Sequence, residues 1–172
     1  MKKIIAIVGP ESTGKSTLSK SLSIAFGAGW VPEYARQYLE KLNRPYQKED
    51  LLAIAKGQLI MEDEAYKKHD LVFCDTNLLV IKIWSEYKYG ACDAWISKTI
   101  QERKYDLHLL TYIDLPWQDD PQREHPHARE ELFRIYENEL KKLNIEYSVV
   151  KGKNEERLKS ALEEVKRRIV SK

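Results

Sequence analysis

Gly9-Pro10-Glu11-Ser12-Thr13-Gly14-Lys15-Ser16-Thr17 fits G-x-x-x-x-G-K-[ST], the spacing of a phosphate-binding loop. Its flanks are those the motif requires. Lys3-Ile4-Ile5-Ala6-Ile7-Val8 is an apolar β-branched run, as expected of a strand buried on both faces. Leu18, Leu22, Ala25 and Phe26 follow at helical spacing. Strand, glycine loop and helix therefore fall in the required order. Gly9 and Gly14 let backbone amides turn inward, and those amides with the helix N-terminus form an anion cradle. Pro10, Glu11, Ser12, Thr13 and Thr17 complete the loop. Lys15 is expected to reach the β- and γ-phosphates of ATP, and the Ser16 hydroxyl to support Mg²⁺. The alternative is a Gly/Ser/Thr turn that only caps a helix.

Outward from the loop, apolar strands alternate with helices. Trp30-Val31-Pro32-Glu33 reads as a short strand, Leu71-Val72-Phe73-Cys74-Asp75 as a second buried strand, and Leu107 to Asp114 as a third, each ending on an acid. Tyr147 to Val150 is the last. Helices are expected over 34–42, 49–69, 76–89, 93–103 and 130–143. A final one carries the stripe Leu158, Leu162, Val165 and Ile169, with Asn154 as a candidate cap. This alternation predicts an α/β fold: a five-stranded parallel sheet flanked by helices, in one domain over residues 1–172. Residues 116–129 contain Pro116, Pro121 and Pro126 and are expected to form a mobile surface lid.

Composition narrows the classes of partner. The chain has 172 residues and a formal net charge of +2, which gives no reason to expect nucleic acid or a membrane surface. Cys74 and Cys92 lack CxxC spacing, which argues against a disulfide framework or zinc site. Met1 to Val8 faintly resembles a leader, but its apolar run is too short and leads into the glycine loop. No apolar run has membrane-spanning length. A cytoplasmic protein acting on a small molecule is the expectation, with oligomeric state left open.

Ligands of open parallel sheets gather at the carboxyl ends of the strands. Asp75 stands where a Mg²⁺-supporting carboxylate is expected; the alternative is a cap on the next helix. Asp114 either reaches the site or only shapes the turn into Pro116. Glu33, with Arg36 one turn on, suits the acceptor side, where a carboxylate takes a proton from a substrate hydroxyl; the alternative is a surface ion pair. Arg123 and Arg129 are expected to close on the phosphates, and Trp117 to offer a flat face for a ring, against a solvated arginine and a packed indole. His125 and His127 read as lid surface, and Trp30, Trp84 and Trp95 as core.

The P-loop, Val31-Pro32-Glu33-Tyr34-Ala35-Arg36, Asp75-Thr76, Trp84-Ser85-Glu86 and Pro116-Trp117 through Arg123 together resemble the ribosylnicotinamide kinase domain of the NadR family. The resemblance extends over almost the whole chain. It implies a nucleoside-kinase or nucleoside-monophosphate-kinase fold. It also implies ATP-dependent phosphorylation of the 5′-hydroxyl of nicotinamide riboside, with Lys15, Glu33, Asp75 and Arg123 as catalytic candidates. Glu33, Arg36 and Trp117 would bind the acceptor. The chain lacks the His-x-Gly-His signature of the nucleotidylyltransferase domain that NadR proteins typically add, so that activity is not carried over. A kinase for another nucleoside or for a nucleoside monophosphate stays open on the same scaffold. A GTPase-type switch is disfavoured because neither Asn-Lys-x-Asp nor Asp-x-x-Gly occurs. A nucleic-acid-dependent ATPase is disfavoured because the charges are mixed.

Overall fold

A computed structural model describes residues 2–170. Strand β1 (Lys3–Val8) lies at the centre of a five-stranded sheet of order β2-β3-β1-β4-β5, and every pair is parallel. The others are β2 (Gly29–Val31), β3 (Leu71–Asp75), β4 (Leu107–Thr111) and β5 (Tyr147–Val150). Among the described residues seven α-helices connect and cover them: α1 (Lys15–Phe26), α2 (Tyr34–Lys41), α3 (Lys48–Lys68), α4 (Leu78–Tyr89), α5 (Ala94–Glu102), α6 (Arg129–Lys142) and α7 (Asn154–Val165). A π-helical turn, Lys166–Val170, extends α7.

The alternation of β1 divides the core. Ile5 and Ile7 face one side, with Leu18 and Leu22 of α1 and Ala161 and Val165 of α7. Ala6 and Val8 face the other, with Leu79 and Ile83 of α4 and Leu132, Phe133 and Leu140 of α6. Both faces are apolar because a parallel sheet is covered on both sides, so its strands read as continuous rather than alternating hydrophobic runs. Each fully buried Ile or Leu stabilises this arrangement by about 1.5–3 kcal/mol relative to exposure.

Two strand ends differ from expectation. β2 stops at Val31, and Glu33 stands beyond it as the residue that starts α2. β4 stops at Thr111, so Asp114 is not a strand-end acid. Instead Asp114 accepts the Gly152 amide at 2.7 Å and pairs with Arg157, a contact between residues 43 positions apart. Asn154 is the first residue of α7 rather than its cap, which is Lys153. Trp84 packs partly buried against the core between α3, α4 and α5 and also lines the main cleft, while Trp95 is exposed on α5.

Candidate functional site

The P-loop leaves β1 between β3 and β4, where the chain connections run to opposite sides of the sheet and leave a crevice at the strand ends. Gly9 has φ 141°, and a Cβ there would lie 2.5 Å from Thr111 Oγ1. Gly is therefore required where the loop presses against the end of β4. The Thr13 hydroxyl donates to Pro10 O at 2.8 Å and shares a hydrogen bond of 2.7 Å with the Thr111 hydroxyl. Gly14 has φ 77° and opens α1 without a side-chain cap, leaving the first amides of the helix for a ligand.

Beyond this loop lies a cleft of about 690 Å³. One half is walled by the loop, Thr17 and Ser21 of α1, and Asn154, Glu155 and Leu158 of α7. The other is walled by Glu33, Arg36 and Leu39, then Ile83, Trp84 and Tyr87 of α4, and Leu132 and Tyr136 of α6. The second half combines an acid and an arginine with an aromatic and aliphatic wall, the usual composition of a small-molecule site.

Lys15 joins the two halves. Its Nζ donates to Pro10 O at 2.8 Å. Burial lowers its pKa, and the charges of Glu33, Asp75 and Glu11 oppose that shift. Burial raises the Glu33 carboxyl from 4.5 to about 7; the Asp75 charge adds to this, while Lys15 and Arg36 oppose it. The Asp75 carboxyl is also raised by burial, with the Ser16 hydroxyl and Lys15 pulling the other way. Glu33, Asp75 and Lys15 thus form one electrostatic unit at the ends of β1, β2 and β3.

Asp75 is not the cap of the following helix. Asn77 has that role, its side chain accepting the Leu79 amide at 3.1 Å. Asp75 Oδ1 is buried without a hydrogen-bond partner. A buried carboxylate oxygen lacking a donor, next to a serine hydroxyl at the phosphate cradle, fits a hard cation with oxygen ligands. Among the described residues, no group of three or more His, Cys, Asp and Glu gathers around a metal position. A cation here would therefore share its remaining ligands with phosphate and water.

Residues 112–128 contain no helix or strand, and this segment is fastened over the P-loop. Ser12 Oγ accepts the Gln118 amide at 2.8 Å, and Glu11 accepts the amides of Glu124 and His125 at 3.2 and 3.0 Å. Arg123 lines the cleft and donates to Gln118 O. Arg129 instead donates to Ser12 O and Leu115 O at 3.2 and 2.8 Å, so it braces the loop from outside the cleft lining. Trp117 is also outside that lining. Its indole N–H goes to Asp119 at 2.8 Å, and its ring lies 6.0 and 5.9 Å from the Arg123 and Arg129 guanidinium carbons. Two guanidiniums beside the ring favour its place against Arg123 and Arg129, away from the cleft lining.

Sequence reasoning missed Arg157. It is 3% exposed and donates to Gly152 O, Thr13 O and Tyr112 O at 2.8, 2.9 and 3.1 Å, besides pairing with Asp114. It thereby ties the P-loop to the loops after β4 and β5. The only signal in the sequence was an arginine interrupting the early face of an amphipathic helix. Trp84 and Tyr87 were also missed as cleft residues, because on α4 they share spacing with core residues.

No helix among the described residues is long and apolar enough to cross a membrane. The chain is 28% identical over 158 residues to the trifunctional NAD biosynthesis/regulator protein NadR of Salmonella typhimurium, covering 87% of this chain and 38% of that protein. Its fold is similar to that of a NadR protein solved in complex with NR (TM-score 0.85, 20% identity, 99% of this chain and 52% of that one). It is likewise similar to a NadR protein solved with NAD and AMP-PNP (TM-score 0.78, 20% identity, 97% and 49%). The chain thus spans about half the length of the solved relatives and less of the curated one. The sequence likeness and the fold agree on a NadR-like P-loop kinase domain. From residue 4 to residue 157 the chain matches the AAA_28 family, an AAA domain, and it belongs to that family.

Proposed function

We propose that the protein is an ATP-dependent kinase that phosphorylates the 5′-hydroxyl of nicotinamide riboside to give nicotinamide mononucleotide. The observation that carries this reading is Glu33, which lines the same cleft as the phosphate cradle, within reach of the charges of Lys15 and Asp75, with its carboxyl raised to about 7. A carboxyl with that pKa is suited to accept a proton near neutral pH. In the proposed reaction the 5′-oxygen attacks the γ-phosphorus, the bond to the ADP oxygen breaks, and the hydroxyl proton passes to Glu33. Lys15 and the loop amides bind the phosphates, and Arg123 stabilises charge on the transferring group. Ser16 and Asp75 would hold Mg²⁺, which supplies charge neutralisation on the β- and γ-oxygens when bound. Trp84 and Tyr87 offer aromatic surface on the acceptor side, and Arg36 a guanidinium. The likeness to NadR, one member of which was solved with NR, supports nicotinamide riboside over other nucleosides as the acceptor.

The test is ATP consumption with product identification by phosphorus NMR, over nicotinamide riboside, the common nucleosides and nucleoside monophosphates. Phosphorylation of nicotinamide riboside with loss of turnover in Lys15→Ala is the expected result. Preference for a monophosphate or another nucleoside would move the protein to a neighbouring specificity on the same scaffold. No ATP-dependent product from any of these acceptors would overturn the kinase reading.

A further inference from the structure

Glu33 occupies the N-cap position of α2, yet its side chain makes no capping hydrogen bond. Helices ordinarily spend an acid at this position on their own first amides. The first amide of the helix, that of Tyr34, is instead held from another element. Gln58, on α3 and 1% exposed, accepts the Tyr34 amide on Oε1 at 2.9 Å across 24 residues of sequence. Its Nε2 donates to Glu62 Oε1 at 3.3 Å. Glu62 is fully buried and receives Arg103 Nε at 3.1 Å and the Tyr105 hydroxyl at 2.8 Å. A second contact fixes the same junction. A Cβ on Gly57 would lie 2.1 Å from the Tyr34 ring, so that ring packs directly against the α3 backbone.

We propose that Gln58 is a positioning residue for the acceptor side of the site: delivered from α3 and oriented by Glu62, it holds the first amide of α2 and so fixes the backbone from which the Glu33 carboxylate enters the cleft. The inference rests on the kinase reading for its catalytic consequence, but its structural content stands apart from it. Without Gln58 the Tyr34 amide, the first of α2, loses its partner, and the backbone that sets the direction of the Glu33 side chain is no longer held there. A base whose backbone anchor is lost no longer keeps its place at the acceptor hydroxyl. Arg36, in the same turn, shifts with it. The packing of Tyr34, Tyr38 and Leu39 keeps α2 against α3, so the loss falls on the first turn rather than on the whole helix.

Amide hydrogen exchange at residues 34–36 reads the anchor directly, and steady-state kinetics reads its consequence. Gln58→Met keeps the volume and removes both hydrogen bonds. It should speed Tyr34 exchange at least tenfold and lower kcat on the order of 10- to 10²-fold, with the KM for ATP unchanged, because misplacement near a reacting group costs that much. The double substitution Gln58→Glu with Glu62→Gln exchanges acceptor and donor but keeps the connections. The carboxylate introduced at position 58 accepts both the Tyr34 amide and the side-chain amide introduced at position 62. This pair should restore kcat to within about threefold of the parent. Leu162→Ala, a core substitution on the far face, should lower Tm without either effect. If Gln58→Met does not fold, Gln58→Asn, which withdraws the amide by one methylene, is measured instead and the same outcomes apply. Unchanged Tyr34 exchange, or a kcat within threefold of the parent in a folded variant, would overturn the proposal. A parent protein that phosphorylates no acceptor would defeat the kinase reading, while the exchange data would still decide whether Gln58 anchors α2.

Discussion

Arg36 Nη2 donates to Asp120 Oδ2 at 3.0 Å, joining the first turn of α2 to the lid. Gln122 adds a longer bond to Arg36 O at 3.4 Å. The acceptor side and the covering segment are thus fastened to each other as well as to the P-loop. The Arg36 side chain is 44% exposed, so the pair contributes no more than about 1 kcal/mol to stability. Asp120→Ala should leave Tm within about 4 °C of the parent. It should raise the acceptor KM about 2- to 10-fold, because the lid closes less often. An unchanged KM would mean that the pair plays no part in closure.

The Glu33 carboxyl gives a pH prediction whose sign differs between activity and stability. As a base it must be ionised, so kcat/KM should fall as pH drops through about 7. Its folded pKa is raised from 4.5, so between about 4.5 and 7 the folded state binds more protons than the unfolded state. Stability from this group is therefore greatest below that window and lost as pH rises through it. Glu33→Gln should raise Tm at pH 8 more than at pH 4.5, while cutting kcat about 10²- to 10⁴-fold. Equal Tm differences at both pH values, by calorimetry without ligands, would refute the raised pKa.

Asp75→Asn should shift the Mg²⁺ requirement upward, with added Mg²⁺ recovering part of the lost activity. The basis is the unpartnered Asp75 oxygen beside Ser16. Titrating activity against Mg²⁺ for Asp75→Asn and Glu33→Gln separates the two acids. Recovery confined to the Glu33 variant would reverse their roles.

Arg157→Ala should destabilise the fold by about 3–5 kcal/mol, the cost of breaking a buried pair. It strips Asp114 of its cation and leaves three backbone carbonyls, those of Thr13, Tyr112 and Gly152, without their donor. Denaturant unfolding measures this. A loss below about 1 kcal/mol would show that water replaces the guanidinium at little cost.

Trp117→Ala should weaken ATP and acceptor binding to similar extents, because its ring supports Arg123 and Arg129 from outside the cleft. Calorimetry with each ligand decides it. Selective loss of the acceptor would return Trp117 to a ring-binding role.

The architecture and the place of the phosphate loop within it were legible in the sequence. An apolar run, a glycine loop and a helical stripe are local patterns, and local sterics and burial on both sheet faces leave few alternatives for them. The positions of Lys15, Ser16 and Asp75 follow from that frame, because each sits a fixed distance along the chain from the end of a strand. The short β2 hid the true place of Glu33, since Pro32 and Glu33 lie past its last ladder pair, Val31 with Cys74. Asp114 was legible only as an acid near a turn; its partner Arg157 arrives from 43 residues away. Trp84 and Tyr87 have the same helical spacing as core residues, and only the packing of α4 against α6 decides which side chains meet solvent in the cleft. The tertiary structure alone decided that Gln58 holds the start of α2 and that Trp117 faces two arginines. Both are contacts between elements distant in sequence. No local pattern encodes them, because hydrogen bonds and ring stacking depend on where the completed sheet delivers each side chain.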